Sequence, residues 1–146
     1  MISPVKSWVR TSPYGWRNLN GKRQFHGGID LVSGAGDRTV RAMADGEVVL
    51  DYDSYQDARR WTYPPDSGGN MVILKTKIRG KFYFIRYLHL SENIVSKGQK
   101  IKQGAVLGHY ADVGYSFGAH LHIDAYDGKW KPVDITKFCT FIRVKK

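Results

Sequence analysis

Four of the chain's five histidines fall in three short motifs: His26-Gly27-Gly28-Ile29-Asp30, Tyr87-Leu88-His89-Leu90-Ser91 and His120-Leu121-His122. Imidazole and carboxylate are ordinary zinc ligands, and a catalytic zinc site keeps three protein ligands plus an open position for water. His120 and His122 lie two apart in a strand-like stretch, where alternate residues share a face, so both rings can reach one site. Asp124 continues that face. His26 and Asp30 are four apart in an extended stretch and share a face as well. The glycines between them let the backbone bend and approach closely. One imidazole and one carboxylate from the first motif, with one imidazole from the third, make a His2Asp set. Such a set leaves the metal net positive, able to polarise a carbonyl and to acidify a water to a pKa of about 7. A single His-x-His is more often two histidines on a half-exposed sheet face. Three motifs that can converge point instead to a zinc hydrolase. The fifth histidine, His109, follows Gly108 in a strand and is expected to be structural or exposed.

The elements that must position these residues are almost entirely β. Thr39 to Met43, Gly46 to Tyr52, Met71 to Lys77, Lys81 to Leu90, Ala105 to Tyr110 and Ala119 to Tyr126 are short runs rich in Val, Ile, Tyr and Phe. Turn pairs such as Asp45-Gly46, Arg79-Gly80, Lys97-Gly98, Gln103-Gly104 and Asp127-Gly128 separate them. No window carries a helical period. Val133 to Phe138, following Pro132 and with Asp134 as a cap, predicts one helical turn at most. The expected fold is all-β: an antiparallel sheet or sandwich of short strands with a central cleft and little helix. One domain spans residues 1–146. Asp53 to Gly69 breaks the alternation with Pro64-Pro65, Arg59, Arg60, Trp61 and Tyr63, and is expected to be an insertion loop beside the cleft. Arg59 and Arg60 could pair with a substrate carboxylate or simply be solvated.

Composition narrows the setting. No stretch approaches the roughly 18 apolar residues of a membrane span. Met1 to Arg17 does not read as a signal peptide. That implies export by another route or a segment of a longer chain. Cys139 is the single cysteine, so no intramolecular disulfide forms, and a small buried apolar role is expected. The net charge of +10 favours polyanionic partners: nucleic acid, anionic lipid or anionic wall polymer.

The ordered series of motifs resembles the lysostaphin-type (LytM-like) zinc endopeptidases that cleave peptidoglycan. It runs from Ser12-Pro13-Tyr14-Gly15-Trp16-Arg17, through Phe25-His26-Gly27-Gly28-Ile29-Asp30-Leu31, Val40-Arg41-Ala42 and Asp45-Gly46-Glu47-Val48. Gly69-Asn70-Met71-Val72-Ile73, Tyr87-Leu88-His89-Leu90-Ser91 and Gly98-Gln99-Lys100-Ile101 follow. The series closes on Gly104, Leu107-Gly108, Gly114 to His122 and Pro132-Val133-Asp134. The resemblance implies one Zn2+ per chain held by His26, Asp30 and His122, with His120 and His89 as a catalytic pair. One ring of the pair acts as general base and the two together assist the tetrahedral intermediate and the leaving amine. Asn70 occupies a recurrent family position that substrate binding or turn chemistry would explain. Asp124 stands where the family has Glu and would orient a ligand imidazole.

The chain departs from the family in three further places. Asp112 to Gly118 replaces a Ser-Thr-Gly repeat, no Tyr lies between Asn18 and Phe25, and the insertion is long. The implied partners are peptidoglycan peptides and anionic wall polymers, at the bacterial wall, with a phage lysin or tail-tip component as one setting. Two other classes fit the residues less well. One is a non-catalytic scaffold of the same fold, which would ordinarily have lost ligands. The other is a basic β-sheet nucleic-acid binder using Phe82, Tyr83, Phe84 and Tyr87, which leaves the His/Asp pattern unexplained and is not expected.

Overall fold

The computed structural model describes residues 1–19, 21–52, 70–112 and 118–144. The expected insertion at 53–69 and residues 113–117 of the run before the His-x-His pair lie outside the described residues. The main sheet runs in the order β1 (Trp8–Ser12), β4 (Ile29–Ser33), β11 (Leu121–Asp127), β8 (Lys81–Asn93), β7 (Asn70–Ile78), β6 (Gly46–Tyr52), β9 (Lys100–Ile101). Strand β10 (Val106–Tyr110) pairs with β8 and with β5 (Thr39–Arg41), and β12 (Pro132–Val133) pairs with β11. Strands β2 (Gly15–Leu19) and β3 (Lys22–His26) form a separate hairpin. Neighbouring strands pair antiparallel, and among the described residues helix is confined to short pieces near the C-terminus, as the turn spacing predicts.

Three strands build both the core and the site. On one face, Ile123 and Ala125 of β11 register against Tyr87 and Ile85 of β8, which in turn meet Val72 and Leu74 of β7. All six are buried, and their removal from water at about 25 cal/mol per Å² is the main force holding the sheet together. Because side chains alternate, the other face of β11 carries His122, Asp124 and Tyr126 opposite Leu88, Arg86 and Phe84. Tyr87 belongs to the core. Its hydroxyl accepts a hydrogen bond from Met43 N–H at 3.0 Å, which removes it from any nucleic-acid platform. Cys139 is fully buried, as expected.

One helical turn, Ile135–Lys137, is capped by Asp134, whose carboxylate accepts from Thr136 N–H. The helix Thr140–Val144 (α1) is an addition to the expected elements. Five residues are too few to display a 3.6-residue period. Strands β1 to β4, β9 and β12 are likewise additions: β1 to β3 are largely exposed, with four of the five residues of β3 facing solvent, β9 and β12 have two residues each, and β4 is a short buried run without alternation.

Candidate metal centre and histidine pair

Strand register brings the first and third motifs together. Asp30 of β4 sits directly across from His122 of β11 and, on its other side, from Ser12 of β1. His26 ends β3, one tight turn earlier, so its ring reaches the same point. The turn is tight because of Gly28. A Cβ there would lie 2.2 Å from Ile123 O and 2.7 Å from His122 Nε2. At Gly27 a Cβ would meet nothing within 4 Å. Of the two glycines, only Gly28 is required for close approach.

Three ligand atoms converge. His122 Nδ1 lies 3.0 Å from Asp30 Oδ1 and 3.2 Å from His26 Nε2, and His26 Nε2 lies 3.3 Å from Asp30 Oδ1. Ligands about 2.0–2.1 Å from a tetrahedral zinc stand about 3.3 Å apart, so the three edges fit that ion. The outer nitrogens fix the tautomers. His26 Nδ1 lies 2.9 Å from Pro13 O, a group that can only accept, so Nδ1 carries the hydrogen and Nε2 turns its lone pair inward. His122 Nε2 donates in the same way to Asp124 Oδ2 at 3.0 Å, leaving Nδ1 for the metal. The Asp124 carboxylate is in turn clamped by Arg86, whose Nε and Nη2 donate to its two oxygens at 2.7 Å each. Asp30 directs its other oxygen toward Arg17 Nη1, at 3.8 Å.

The electrostatics of the metal-free site point the same way. Burial opposes charge on His122, but hydrogen bonds to Asp124 and Asp30 overcome it and raise its pKa to about 9. Burial also works against the Asp30 carboxylate, and hydrogen bonds from His122 and His26 prevail, holding it well below the usual carboxylate range. For Asp124 burial is again the largest effect, outweighed by Arg86 and His122, so its pKa falls. Without metal, a proton on His122 Nδ1 supplies the positive charge that Asp30 Oδ1 and His26 Nε2 surround. A divalent cation fits the same position.

The second motif arrives by a bulge. Asn70 pairs with Leu90 and Met71 with Leu88, which leaves His89 as an extra residue on β8. Its φ is +68°, a left-handed conformation that costs a non-glycine residue about 1 kcal/mol. Bulges re-aim side chains, and here the ring leaves the sheet's regular alternation and stands 4.6 Å from that of His120, centroid to centroid. Ala111 ties the two together, donating its N–H to His89 O and pairing in a bridge with His120. His120 Nδ1 donates to Gly118 O at 2.8 Å, so its Nε2 lone pair faces inward, 3.6 Å from Asp30 Oδ1.

All five histidine and aspartate positions singled out for zinc and catalysis thus meet at one point. Asp124 also meets them there. Asn70 is buried, and its Nδ2 donates to Ser91 O at 3.2 Å, two residues beyond His89. His109 pairs with the exposed Glu92, away from the site. Sequence reasoning did not find Arg86, Arg17 or the carbonyls of Pro13 and Gly118. Backbone acceptors carry no residue signature, and the Arg86–Asp124 contact depends on the β8–β11 register.

The model for "Peptidase family M23" matches residues 24–135. The chain is 34% identical over 99 residues to "Peptidoglycan DD-endopeptidase ShyA" of Vibrio cholerae, covering 68% of this chain and 20% of that protein. It is 32% identical over 97 residues to "Glycyl-glycine endopeptidase ALE-1" of Staphylococcus capitis, covering 66% and 23%. It therefore spans about a fifth of the length of these curated relatives. Among solved structures, the catalytic domain of the antimicrobial peptidase lysostaphin from Staphylococcus simulans superposes with a TM-score of 0.69 at 26% identity, covering 90% of this chain and 91% of that one.

Proposed function

The chain belongs to peptidase family M23, and on that premise we propose that it is a zinc-dependent endopeptidase that hydrolyses peptide bonds in bacterial peptidoglycan, with one zinc per chain. The observation that carries this reading is the convergence of three inward-facing ligand atoms, 3.0–3.3 Å apart. Both imidazoles among them have their outer nitrogen tied to an acceptor. His26, Asp30 and His122 would hold the zinc. When bound, zinc supplies a Lewis acid for the scissile carbonyl and lowers the pKa of water.

The remaining chemistry falls to the chain's own groups. Pro13 O and the Asp124–Arg86 pair keep the two ligand imidazoles in the required tautomer and orientation. His120, oriented by Gly118 O, accepts the proton of the attacking water at Nε2 and returns it to the leaving amine. His89, at its side, donates a hydrogen bond to the substrate oxygen as that atom gains charge. Asn70 contributes through the Ser91 carbonyl it holds beside the pair.

The names of the two curated relatives differ in the bond they specify, so the class supported is cell-wall peptides, stem or cross-bridge, rather than one bond. Action is at the bacterial wall, whether the domain is delivered by secretion or on a phage particle. The test separates binding from chemistry. His122→Ala should lose both zinc and wall clearing, while His120→Ala should keep zinc and lose clearing about 10²–10⁴-fold. Full clearing by zinc-free His122→Ala would refute the proposal.

A further inference from the structure

The β2–β3 hairpin has two unlike faces. In its register Gly15 faces His26, Trp16 faces Phe25, Arg17 faces Gln24 and Asn18 faces Arg23. Alternation puts Arg17, Gln24 and His26 on one face, where Arg17 bonds Ser12 and His26 joins the metal centre. Trp16, Phe25 and Arg23 occupy the other face, turned away from that centre. Trp16 is 62% exposed and Phe25 46%.

These rings are organised among themselves. Phe25 meets Trp16 and Tyr14 edge to face, each at 5.3 Å between ring centres, and the Arg23 guanidinium lies 5.1 Å from the Trp16 ring centre. A single exposed apolar side chain is ordinary, but a contiguous Trp–Phe–Tyr strip backed by arginine has the composition of an interface. Tyr14 continues the strip into a pocket that Arg10, Pro13, Asp134, Thr136 and Ile142 complete. Residues 8–26 carry four Lys or Arg (Arg10, Arg17, Lys22 and Arg23) and no Asp or Glu.

We propose that this outer face of the hairpin is an exosite for a phosphate-bearing glycopolymer attached to the cell wall. Flat aromatic faces suit the C–H faces of sugar rings, and Arg23 on this face, with Arg10 beside Tyr14, suits the phosphates between them. The exosite would hold the domain on its polymeric substrate while the opposite face of the same hairpin presents His26. The inference rests on the wall-hydrolase reading for its choice of occupant.

The test compares wild type, Trp16→Ala and the charge reversal Arg23→Glu, each checked for an unchanged melting temperature. Binding is measured by co-sedimentation with sacculi carrying a sugar-decorated poly(polyol phosphate), and with the same sacculi stripped by hydrofluoric acid. Cleavage is measured separately on a short soluble wall peptide. Both variants should bind intact sacculi about tenfold more weakly, stripping should weaken wild type comparably, and kcat/KM on the soluble peptide should stay unchanged. Equal binding by wild type and variants, no retention of wild type, or retention that survives stripping would overturn the exosite. Loss of binding that an oligonucleotide reproduces as a tighter competitor would overturn its occupant. Failure of every protein, wild type included, to cut the soluble peptide would count against the hydrolase and leave the binding result to decide the exosite.

Discussion

Adding one methyl group at Gly28 should damage the metal centre without touching a ligand. A Cβ there would sit 2.2 Å from Ile123 O, 2.7 Å from His122 Nε2 and 2.8 Å from His122 Cε1. Carbon and oxygen tolerate an approach of about 3.2 Å, already inside the optimum of roughly 3.5–4.0 Å. Something must therefore yield by about 1 Å. The candidates are the turn, which carries His26 and Asp30 at its ends, and the His122 ring. Each holds a ligand atom, and metal sites tolerate only about 0.2 Å in bond length. Overpacking of this kind costs about 1–3 kcal/mol, which for a domain of this size is a loss of roughly 3–10 °C in melting temperature. Gly27→Ala is the control, because its Cβ would meet nothing within 4 Å. Zinc affinity by competition with a chromophoric chelator, together with thermal unfolding of both metal-free variants, decides the matter. Gly28→Ala should bind zinc at least about tenfold more weakly and melt lower, with Gly27→Ala close to wild type. Wild-type affinity and melting for Gly28→Ala would refute the reasoning.

Three further outcomes follow from the same geometry. Asp124→Asn and Arg86→Met should each weaken zinc binding about 10–100-fold, measured by the same competition, because they loosen the group that orients His122. His89→Gly removes the ring that donates to the substrate oxygen yet relieves the left-handed backbone at that residue. It should clear peptidoglycan about 10²–10³-fold more slowly while melting no lower than His89→Ala. In the metal-free protein, the raised His122 pKa contributes stability that is fully present below pH 6.5 and is lost as pH rises through about 9. Asp30 and Asp124, with lowered values, contribute above pH 3.8 and lose that contribution as pH falls. Chemical denaturation across pH should therefore show maximal metal-free stability between about pH 4 and 6.5, and zinc affinity should rise with pH up to about 9 as the metal displaces the His122 proton.

Much of the site was legible because its chemistry is tied to rare residue types. Histidines at His26, His89, His120 and His122 stand out in any chain, and period-2 alternation correctly put His122 and Asp124 on one face. The β class was legible from Val, Ile and aromatic runs bounded by turn glycines, and Asp134 announced its cap. Strands β1 to β3 escaped because their residues largely face solvent, so no apolar alternation marks them, and β4 escaped because it is a short run buried on both faces. The route by which His89 reaches His120 also escaped. It depends on a one-residue register slip between β7 and β8 that only the paired strands reveal. Arg86 was hidden for a similar reason, since its partner lies 38 residues away in sequence and is met only through pairing. The two faces of the β2–β3 hairpin became distinct only once His26 was anchored at its end.

The most direct test of the central claim is zinc content by elemental analysis of the purified protein, paired with turbidity clearing of purified peptidoglycan before chelation, after chelation and after zinc is restored. The account predicts close to one zinc per chain, clearing that stops when zinc is removed, and clearing that returns with it. Clearing that persists in verified zinc-free protein, or a fully zinc-loaded protein that cuts no wall type, would contradict it.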